Sequence, residues 1–332
     1  MRQTREERQA RAKLRLTRVL TRHGAAIART IEQKISDAGP FNQRIDPHIL
    51  NPVRNEMVQQ GSLQRHHQHG VDWYCTPDVT EETRHARIEE QFAVYRLILD
   101  GGFNARMGQV LEIAVFRALQ ESSLLSLGGF RHLTAEPTTQ KLRKEEPPSI
   151  FSGRELSGNK RFDFLVAHDQ YWAGVEVKNV REWLYPDREE VRALIAKSIE
   201  LNLPPILIAR RIPYVTRRLL SKAGMLMWET RHQYYPPEYH NLAGLVREKT
   251  SLGYFDVTVS DQPDNQLRDF VARILPEELP DATERFLAHR DLLAPFGTGA
   301  MSYHEFAARL RRREQEIDEN FDPEDEGADI PF

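Results

Sequence analysis

Three ionisable residues have types and a spacing that suit metal-assisted chemistry on phosphate groups, namely Asp163, Glu176 and Lys178. They lie at the ends of two apolar, β-rich runs, 162–167 and 172–178, which predict a hairpin closed by a four-residue loop. A register in which the two runs face each other places Asp163 opposite Glu176, with Cβ atoms about 5 Å apart. Lys178 shares the strand face of Glu176. The stretch therefore predicts two carboxylates and an ammonium group on one face.

This arrangement carries an energetic cost that a bound cation would remove. Like charges placed opposite each other destabilise a sheet, and carboxylates in an apolar setting lose hydration. Mg²⁺ is commonly held by one or two carboxylates together with water and phosphate oxygens. The lysine would then position or activate a water, or stabilise charge that develops on the phosphate. The alternative is a surface hairpin on which Lys178 forms an ordinary ion pair with Glu176 or Asp163.

Asp163 followed, after a gap, by Glu176-Val177-Lys178 resembles the D-(x)n-E-x-K signature of the PD-(D/E)XK nuclease superfamily. Phe162 stands where many members have proline. The resemblance extends over roughly residues 104–260 and implies a restriction-endonuclease-like α/β sandwich with a mixed central sheet. It implies that Asp163, Glu176 and the backbone carbonyl of Val177 hold Mg²⁺, for which Mn²⁺ can substitute, while Lys178 assists the attacking water.

A further acidic candidate, Glu112, lies in the middle of the segment 105–120, which is apolar on nearly all sides and predicts a buried helix. A buried carboxylate needs a partner or becomes protonated. In the superfamily a glutamate on the first core helix often joins the metal site, and Glu112 matches that role by position. The alternative is a buried salt bridge, for example to Arg117 or Arg106.

Composition narrows the class of protein. The chain has 332 residues, enough for two or three domains, and 40% of them are hydrophobic and 29% charged. No apolar run has the length of a transmembrane helix, so a membrane partner is not expected. The single cysteine, Cys75, excludes an intrachain disulfide and a cysteine-based zinc site, and favours a cytoplasmic location.

The net charge of −3 conceals an uneven distribution. Residues 1–35 carry ten Lys and Arg residues, whereas residues 314–329 carry nine acidic residues and no basic one. A basic body is compatible with nucleic acid, and an acidic tail can screen that body or bind a partner. The alternative for the tail, 314–332, is a solvated terminus.

The first 76 residues resemble a winged helix-turn-helix domain, with three predicted helices followed by two short strands, 62–65 and 71–75, around a His-rich tip. Asp46 and Pro47 predict the start of the third helix, which would read DNA bases. The predicted DNA contacts are Asn51, Arg54, Asn55 and Gln59 on that helix, and Arg15 and Arg18 on the first. The alternative is a domain for protein contacts or dimerisation, and the tip histidines are interpreted as a solvated loop and not as a metal site.

The remaining segments complete the predicted organisation. A connector helix within 77–103, opened by a capping box at Asp78, carries an apolar stripe formed by Ile88, Phe92, Tyr95 and Leu99. The nuclease core follows at 104–260, then a helical extension at 261–313. Several basic residues in the polar segment 134–160 and directly after it are predicted to line a phosphate groove: Lys141, Arg143, Lys144, Arg154, Lys160 and Arg161.

Together these features predict a metal-dependent DNA endonuclease, with a role in restriction or anti-phage defence by family analogy only. We also expect a homodimer, because one such site hydrolyses one strand and twofold DNA sites favour twofold proteins. Its candidate surfaces are the apolar stripe of the connector helix and the helical extension. The alternatives are a DNA-binding regulator on a nuclease-like scaffold, or a junction resolvase or RNA nuclease.

Overall fold

The computed structural model describes residues 4–38, 44–131, 133 and 142–317. Its α-helices are α1 (Arg5–His23), α2 (Ala28–Ile35), α3 (Pro47–Gln59), α4 (Glu81–Ile98), α5 (Gly101–Gln120), α6 (Glu189–Leu201), α7 (Tyr214–Leu220), α8 (His240–Arg247), α9 (Asn265–Asp269), α10 (Leu275–Ala288), α11 (Arg290–Gly297) and α12 (Tyr303–Glu314). Its strands are β1 (Ala26–Ile27), β2 (Gln64–Gln68), β3 (Val71–Cys75), β4 (Leu125–Leu127), β5 (Gly129–Phe130), β6 (Lys144–Glu145), β7 (Ile150–Phe151), β8 (Arg154–Glu155), β9 (Phe164–His168), β10 (Tyr171–Lys178), β11 (Pro205–Ala209), β12 (Leu226–Glu229), β13 (Gln233–Tyr235) and β14 (Val257–Val259).

The chain forms two compact units. The first unit contains Met1–Asn104 and Tyr239–Val259, and the second contains Ala105–Glu238 and Ser260–Phe332. The first unit therefore includes residues 239–259, which were predicted to belong to the nuclease core, 104–260. Lys141 and most of the acidic tail lie outside the described residues.

The first unit has the order helix, strand, helix, helix, strand, strand over its first 75 residues. Its helices α1 to α3 pack around a core in which Leu16, Ile31 and Leu50 are fully buried. The short strand β1 pairs with β3, which also pairs with β2, so that the sheet has three strands in the order β1-β3-β2. Asp46 is the N-cap residue of α3, as predicted, and its side chain pairs with Arg8 at 3.3 Å.

The predicted boundaries of the β2–β3 hairpin were wrong at the tip. β2 continues through Gln68, which pairs with Val71, so only His69 and Gly70 form the turn. Both have positive φ, 56° and 72°, as the tight turns that match strand twist require. His66 and His67 therefore lie on a strand and not in a loop.

The connector helix α4 starts later than its predicted capping box. Its N-cap is Thr80, whose side chain accepts a hydrogen bond from Thr83 N–H. Ile88 and Tyr95 of the predicted apolar stripe are buried, and Phe92 stacks on His69 with ring centroids 4.2 Å apart. Leu99, the last residue of the stripe, is 51% exposed, so the stripe is only partly buried in the first unit and the dimer surface stays a prediction.

The second unit is built on a five-stranded sheet in the order β12-β11-β10-β9-β4. β10 is antiparallel to β9 and parallel to β11, and β11 is parallel to β12. The predicted mixed α/β architecture with a mixed-orientation central sheet is confirmed. Strand β11, Pro205–Ala209, is buried along its whole length, as the continuous apolar run indicated.

Helices cover both faces of this sheet. On one face, Val175 and Val177 of β10 join the same apolar cluster as Val110 and Ile113 of α5. On the other face, Leu207 of β11 belongs to the cluster that contains residues of α6, α11 and α12. The central hairpin therefore lies between two apolar layers, and functional groups must emerge at the end of the strands.

The predicted register of the β9–β10 hairpin is confirmed over five pairs, from His168↔Tyr171 to Phe164↔Val175. The predicted loop was too long, because His168 and Tyr171 are paired and leave only Asp169 and Gln170 in the turn. Asp169 has φ 51°, a left-handed conformation that aspartate tolerates in turns.

The C-terminal part of the second unit is helical, as expected. Asp264 and Ser302 cap α9 and α12 with their side chains, and a π-helical segment, Phe270–Ile274, joins α9 to α10. Leu279 and Phe286 of α10 are fully buried. Among the helices that the structure describes, none is long and apolar enough to cross a membrane.

Candidate active site

Asp163 lies one residue before β9, just beyond the last residue pair of the β9–β10 ladder, Phe164↔Val175. Its N–H donates to the Val175 carbonyl at 2.9 Å, and its Oδ2 accepts from the Val177 N–H at 2.7 Å. The prediction that Asp163 continues the ladder directly opposite Glu176 was therefore wrong. Both the backbone N–H and the carboxylate of Asp163 contact the end of β10.

Lys144, which was predicted only to line a phosphate groove, contacts both Asp163 and Glu112. Lys144 Nζ lies 2.5 Å from Asp163 Oδ1 and 2.8 Å from Glu112 Oε2. All three side chains are 14% exposed. Burial alone would lower the pKa of Lys144, but the carboxylates of Asp163 and Glu112 outweigh it and raise the pKa above its ordinary value.

The buried surroundings of Glu112 shift its pKa. Burial, followed by the neighbouring Asp163 carboxylate, raises the pKa of Glu112 to about 7, although Lys144 acts in the opposite direction. The two arginines proposed as its salt-bridge partners are engaged elsewhere. Arg106 pairs with Glu238 at 2.8 Å, and Arg117 pairs with Asp261 at 3.2 Å. The buried ion pair of Glu112 is with Lys144.

Glu176 is held by two lysines. Its Oε1 lies 2.6 Å from Lys178 Nζ, and its Oε2 accepts a short hydrogen bond from Lys197 Nζ of α6. Lys197 is 6% exposed and also donates to the Arg161 carbonyl at 2.8 Å. Burial lowers the pKa of Lys178, but Glu176 outweighs that effect and raises it, so Lys178 stays protonated at neutral pH.

The expectation of uncompensated repulsion between carboxylates was wrong. Three lysines, Lys144, Lys178 and Lys197, accompany three carboxylates in this cluster. Removing a carboxylate from it would leave a lysine without its partner, so such a change is expected to destabilise the fold and not to relieve it. In the described residues, no three His, Cys, Asp or Glu side chains form a group ready to hold a metal ion.

Two buried amide side chains position the cluster. Gln109, one turn before Glu112 on α5, donates to the Leu142 carbonyl and accepts from the Leu142 N–H, both at 2.7 Å. It therefore fixes the backbone two residues before Lys144. Asn179, which follows Lys178, donates to the carbonyls of Met107 and Tyr234 at 2.9 and 2.7 Å and so holds the end of β10.

Phe162, at the position where the resemblance expects proline, packs across the hairpin. Its ring covers Gly174, because a Cβ at Gly174 would lie 2.3 Å from the ring. Lys197 Nζ lies 4.9 Å from the centroid of the same ring, within the range of a cation–π interaction. Phe162 thus supports the lysine that holds Glu176.

Sequence reasoning missed Lys197, Gln109 and Asn179 and did not place Lys144 beside Glu112 and Asp163. One signal was available for Lys197, which lies on the apolar stripe of α6 between Leu194 and Leu201, where a lysine is out of place. No comparable signal marks Lys144, because its contact with Glu112 and Asp163 depends on the path of the preceding polar segment.

The residues predicted to contact DNA divide into buried and exposed positions. Arg54 is only 8% exposed, and its guanidinium lies 4.7 Å above the ring of Tyr74, so the prediction that it reads a base was wrong. Asn51 is half-buried, whereas Asn55 and Gln59 are exposed on α3. Of the four residues of α3 that were predicted to contact DNA, Asn55 and Gln59 are therefore the ones with exposed side chains.

On α1, Arg18 is exposed and Arg15 is half-buried. Burial, and then the charges of Arg11 and Arg18, lower the pKa of Arg15 from its ordinary value, which indicates a crowded basic surface. The histidines of the β2–β3 hairpin pair with acids, His67 with Asp72 at 2.9 Å and His69 with Glu89 at 2.7 Å.

The donor atoms of the cluster suit a hard divalent cation. Glu112 Oε2 and Asp163 Oδ1 both face one cationic group, the Lys144 ammonium, within 2.8 Å. Carboxylate oxygens are the ligands that Mg²⁺ and Mn²⁺ prefer. Glu176 belongs to the same strand end but is held by Lys178 and Lys197.

Comparisons with family models, with curated proteins and with solved structures give no match to this chain.

Proposed function

We propose that the protein is a Mg²⁺- or Mn²⁺-dependent DNA endonuclease of the restriction-endonuclease-like, PD-(D/E)XK type. The observation that carries this proposal is the gathering of Glu112, Asp163, Glu176 and Lys178 at one end of the central hairpin. These residues come from a helix, a strand entry and a strand end that are distant in sequence. Asp163, Glu176 and Lys178 were expected together from the motif, and Glu112 from its position on the first core helix. The mixed sheet with helices on both faces also supports it.

The residues have separate tasks in this proposal. Asp163 and Glu112 would hold the cation, and Glu176 with the Val177 carbonyl would complete the site. When bound, the cation would supply positive charge against the phosphate and the attacking water. Lys178 would donate a hydrogen bond to the oxygen that gains negative charge, because its raised pKa makes it a donor and not a base.

The first unit would supply DNA affinity. Its order of helices and strands, with a hairpin after the third helix, supports the proposed winged helix-turn-helix domain. Exposed Asn55 and Gln59 on α3 would contact base edges, and Arg18 and Arg15 on α1 would contact phosphates. The homodimer stays a prediction, for which light scattering should give about twice the chain mass of 38.6 kDa.

One observation favours a second candidate, a DNA-binding regulator on a nuclease-like scaffold. The three lysines of the cluster compensate its three carboxylates without any metal ion. In that case the cluster would serve stability alone, and the protein would bind DNA without cutting it.

Incubating the purified protein with supercoiled, linear, branched and single-stranded DNA and with RNA separates these possibilities. Parallel reactions contain Mg²⁺, Mn²⁺ or EDTA. The proposal predicts DNA cleavage with either cation and none with EDTA. Cleavage of branched DNA or RNA alone would identify the junction resolvase or RNA nuclease, and DNA binding without any cleavage would identify the regulator.

A further inference from the structure

Lys144 occupies the place that a cation would need between Glu112 and Asp163. Its ammonium nitrogen lies 2.8 Å from Glu112 Oε2 and 2.5 Å from Asp163 Oδ1. Mg²⁺ binds oxygen ligands at about 2.1 Å and larger divalent ions at up to about 2.6 Å. An ion bound to the same two oxygens would therefore overlap the ammonium group, and two cations so close would repel each other strongly.

The position of Lys144 is fixed by the fold and is not the chance contact of a mobile surface lysine. The side-chain amide of Gln109 clamps both backbone groups of Leu142. Lys144 itself pairs with Phe130 in the β5–β6 ladder, and Arg131 forms an ion pair with Glu145 beside it. The segment is thus attached to α5 on one side and to β5 on the other.

From this geometry we propose that Lys144 competes with the divalent cation for the same two carboxylates. Its ammonium group blocks the Glu112–Asp163 pair until it is displaced. The inference rests on the proposed metal site and adds a regulatory step to it. Entry of the cation requires the Lys144 side chain to move away. A DNA phosphate can then accept the released ammonium group, because phosphate oxygens bind lysine well.

Manganese binding by the full-length protein tests this proposal without any measurement of cleavage. Free Mn²⁺ is titrated by electron paramagnetic resonance against wild type, Lys144→Met and Lys160→Met. Lys160 is the matched control, because it is 47% exposed and pairs with Glu200, outside the cluster. Lys144→Met should bind Mn²⁺ about tenfold more tightly than wild type, equivalent to about 1.4 kcal/mol, and Lys160→Met should match wild type.

Loss of the Lys144 charge could also attract Mn²⁺ through long-range electrostatics alone. The salt dependence of binding distinguishes this effect from direct competition for the two carboxylates. In about 1 M KCl the Debye length falls to about 3 Å, so long-range attraction is screened while direct competition persists. The gain of Lys144→Met should therefore remain at high salt. Lys144→Gln serves as a second variant if the methionine variant unfolds, and melting temperatures in EDTA and in Mn²⁺ show that each variant is folded.

The outcomes are distinct. If wild type binds Mn²⁺ and Lys144→Met binds it equally or more weakly, or gains affinity only at low salt, this inference is wrong and the metal site stands. If neither wild type nor the Lys144 variants bind Mn²⁺, the metal site of the proposed function is wrong and the inference fails with it. Tighter binding by Lys144→Met and Lys144→Gln at both salt concentrations supports the competition.

Discussion

The Asp163 carboxylate accepts a 2.7 Å hydrogen bond from the backbone N–H of Val177, at the point where the β9–β10 ladder has already ended. Its Oδ2 thereby pairs with a backbone N–H of this strand end, while its Oδ1 faces Lys144. The same side chain is thus both a structural acceptor and the proposed metal ligand, and these two roles can be separated by substitution.

Replacing Asp163 by alanine should lower the free energy of unfolding, because the partly buried Val177 N–H loses its acceptor and Lys144 loses a partner. We expect a loss of about 1–3 kcal/mol for Asp163→Ala and a smaller loss for Asp163→Asn, whose amide oxygen still accepts the hydrogen bond. Denaturant unfolding in EDTA measures both. Equal stability of the two variants would contradict the structural role of Asp163.

The pair Glu176–Lys197 should be strongly coupled. Breaking a buried ion pair from one side costs about 3–5 kcal/mol, because a charge stays buried without its partner. Glu176→Gln and Lys197→Met should each destabilise the protein, and the double variant should lose clearly less than their sum. A parallel cycle on the exposed pair Lys222–Glu314 should show little coupling. Additive losses at Glu176 and Lys197 would refute the coupling.

Much of the second unit follows from sequence pattern, whereas the charge balance of its site does not. The short turn between the two apolar runs fixes the register from His168↔Tyr171 to Phe164↔Val175, because turn type and loop length set the register of a hairpin. Lys197 lies in a stripe whose periodicity indicates burial. Lys144, by contrast, reaches Glu112 through a polar segment without periodicity, and its contacts depend on long-range packing.

The same contrast explains the error at Arg54. Helix α3 is predictable from Asp46 and Pro47, and Arg54 has the side chain that most often reads guanine. Its orientation depends on the strand β3, which places Tyr74 beneath the guanidinium. Helix spacing alone does not reveal that contact, because it comes from a residue twenty positions away.

Arg54→Ala should therefore act on stability and not on base preference. Loss of the stacking on Tyr74 and of the buried stem should cost about 1–2 kcal/mol. Asn55→Ala or Gln59→Ala should leave stability unchanged and weaken binding to a preferred DNA site by about 1–3 kcal/mol. Fluorescence anisotropy and thermal melting on the same samples distinguish the two. A folded, stable Arg54→Ala variant that has lost sequence preference would contradict the buried position.

The pH dependence of the stability of the first unit should come in part from His23. Burial, and then the charges of Lys34, Arg22 and Arg87, lower the pKa of His23 from 6.5 to about 4. Below about pH 6.5, His23 binds a proton in the unfolded chain but stays neutral in the folded protein. The free energy of unfolding therefore falls as the pH drops towards 4. The loss should stay below about 3 kcal/mol because partial exposure screens the charges.

His23→Gln tests this dependence, with His304→Gln, at an exposed position, as its control. Denaturant unfolding followed between about pH 7 and pH 4 should give a flatter stability profile for His23→Gln than for wild type. His304→Gln should follow the wild-type profile. Parallel profiles for wild type and His23→Gln would show that His23 is not responsible.

The most direct measurement of the central claim is Mg²⁺-dependent cleavage of a supercoiled plasmid by wild type, Asp163→Asn and Asp169→Asn. Both substitutions remove one carboxylate from the same hairpin, but Asp169 lies exposed in the turn, far along the strands from the cluster. We expect cleavage by wild type and by Asp169→Asn, and none by Asp163→Asn although this variant still folds and binds DNA. Cleavage by folded Asp163→Asn at the wild-type rate, or no cleavage by wild type under Mg²⁺ or Mn²⁺, would contradict the central claim.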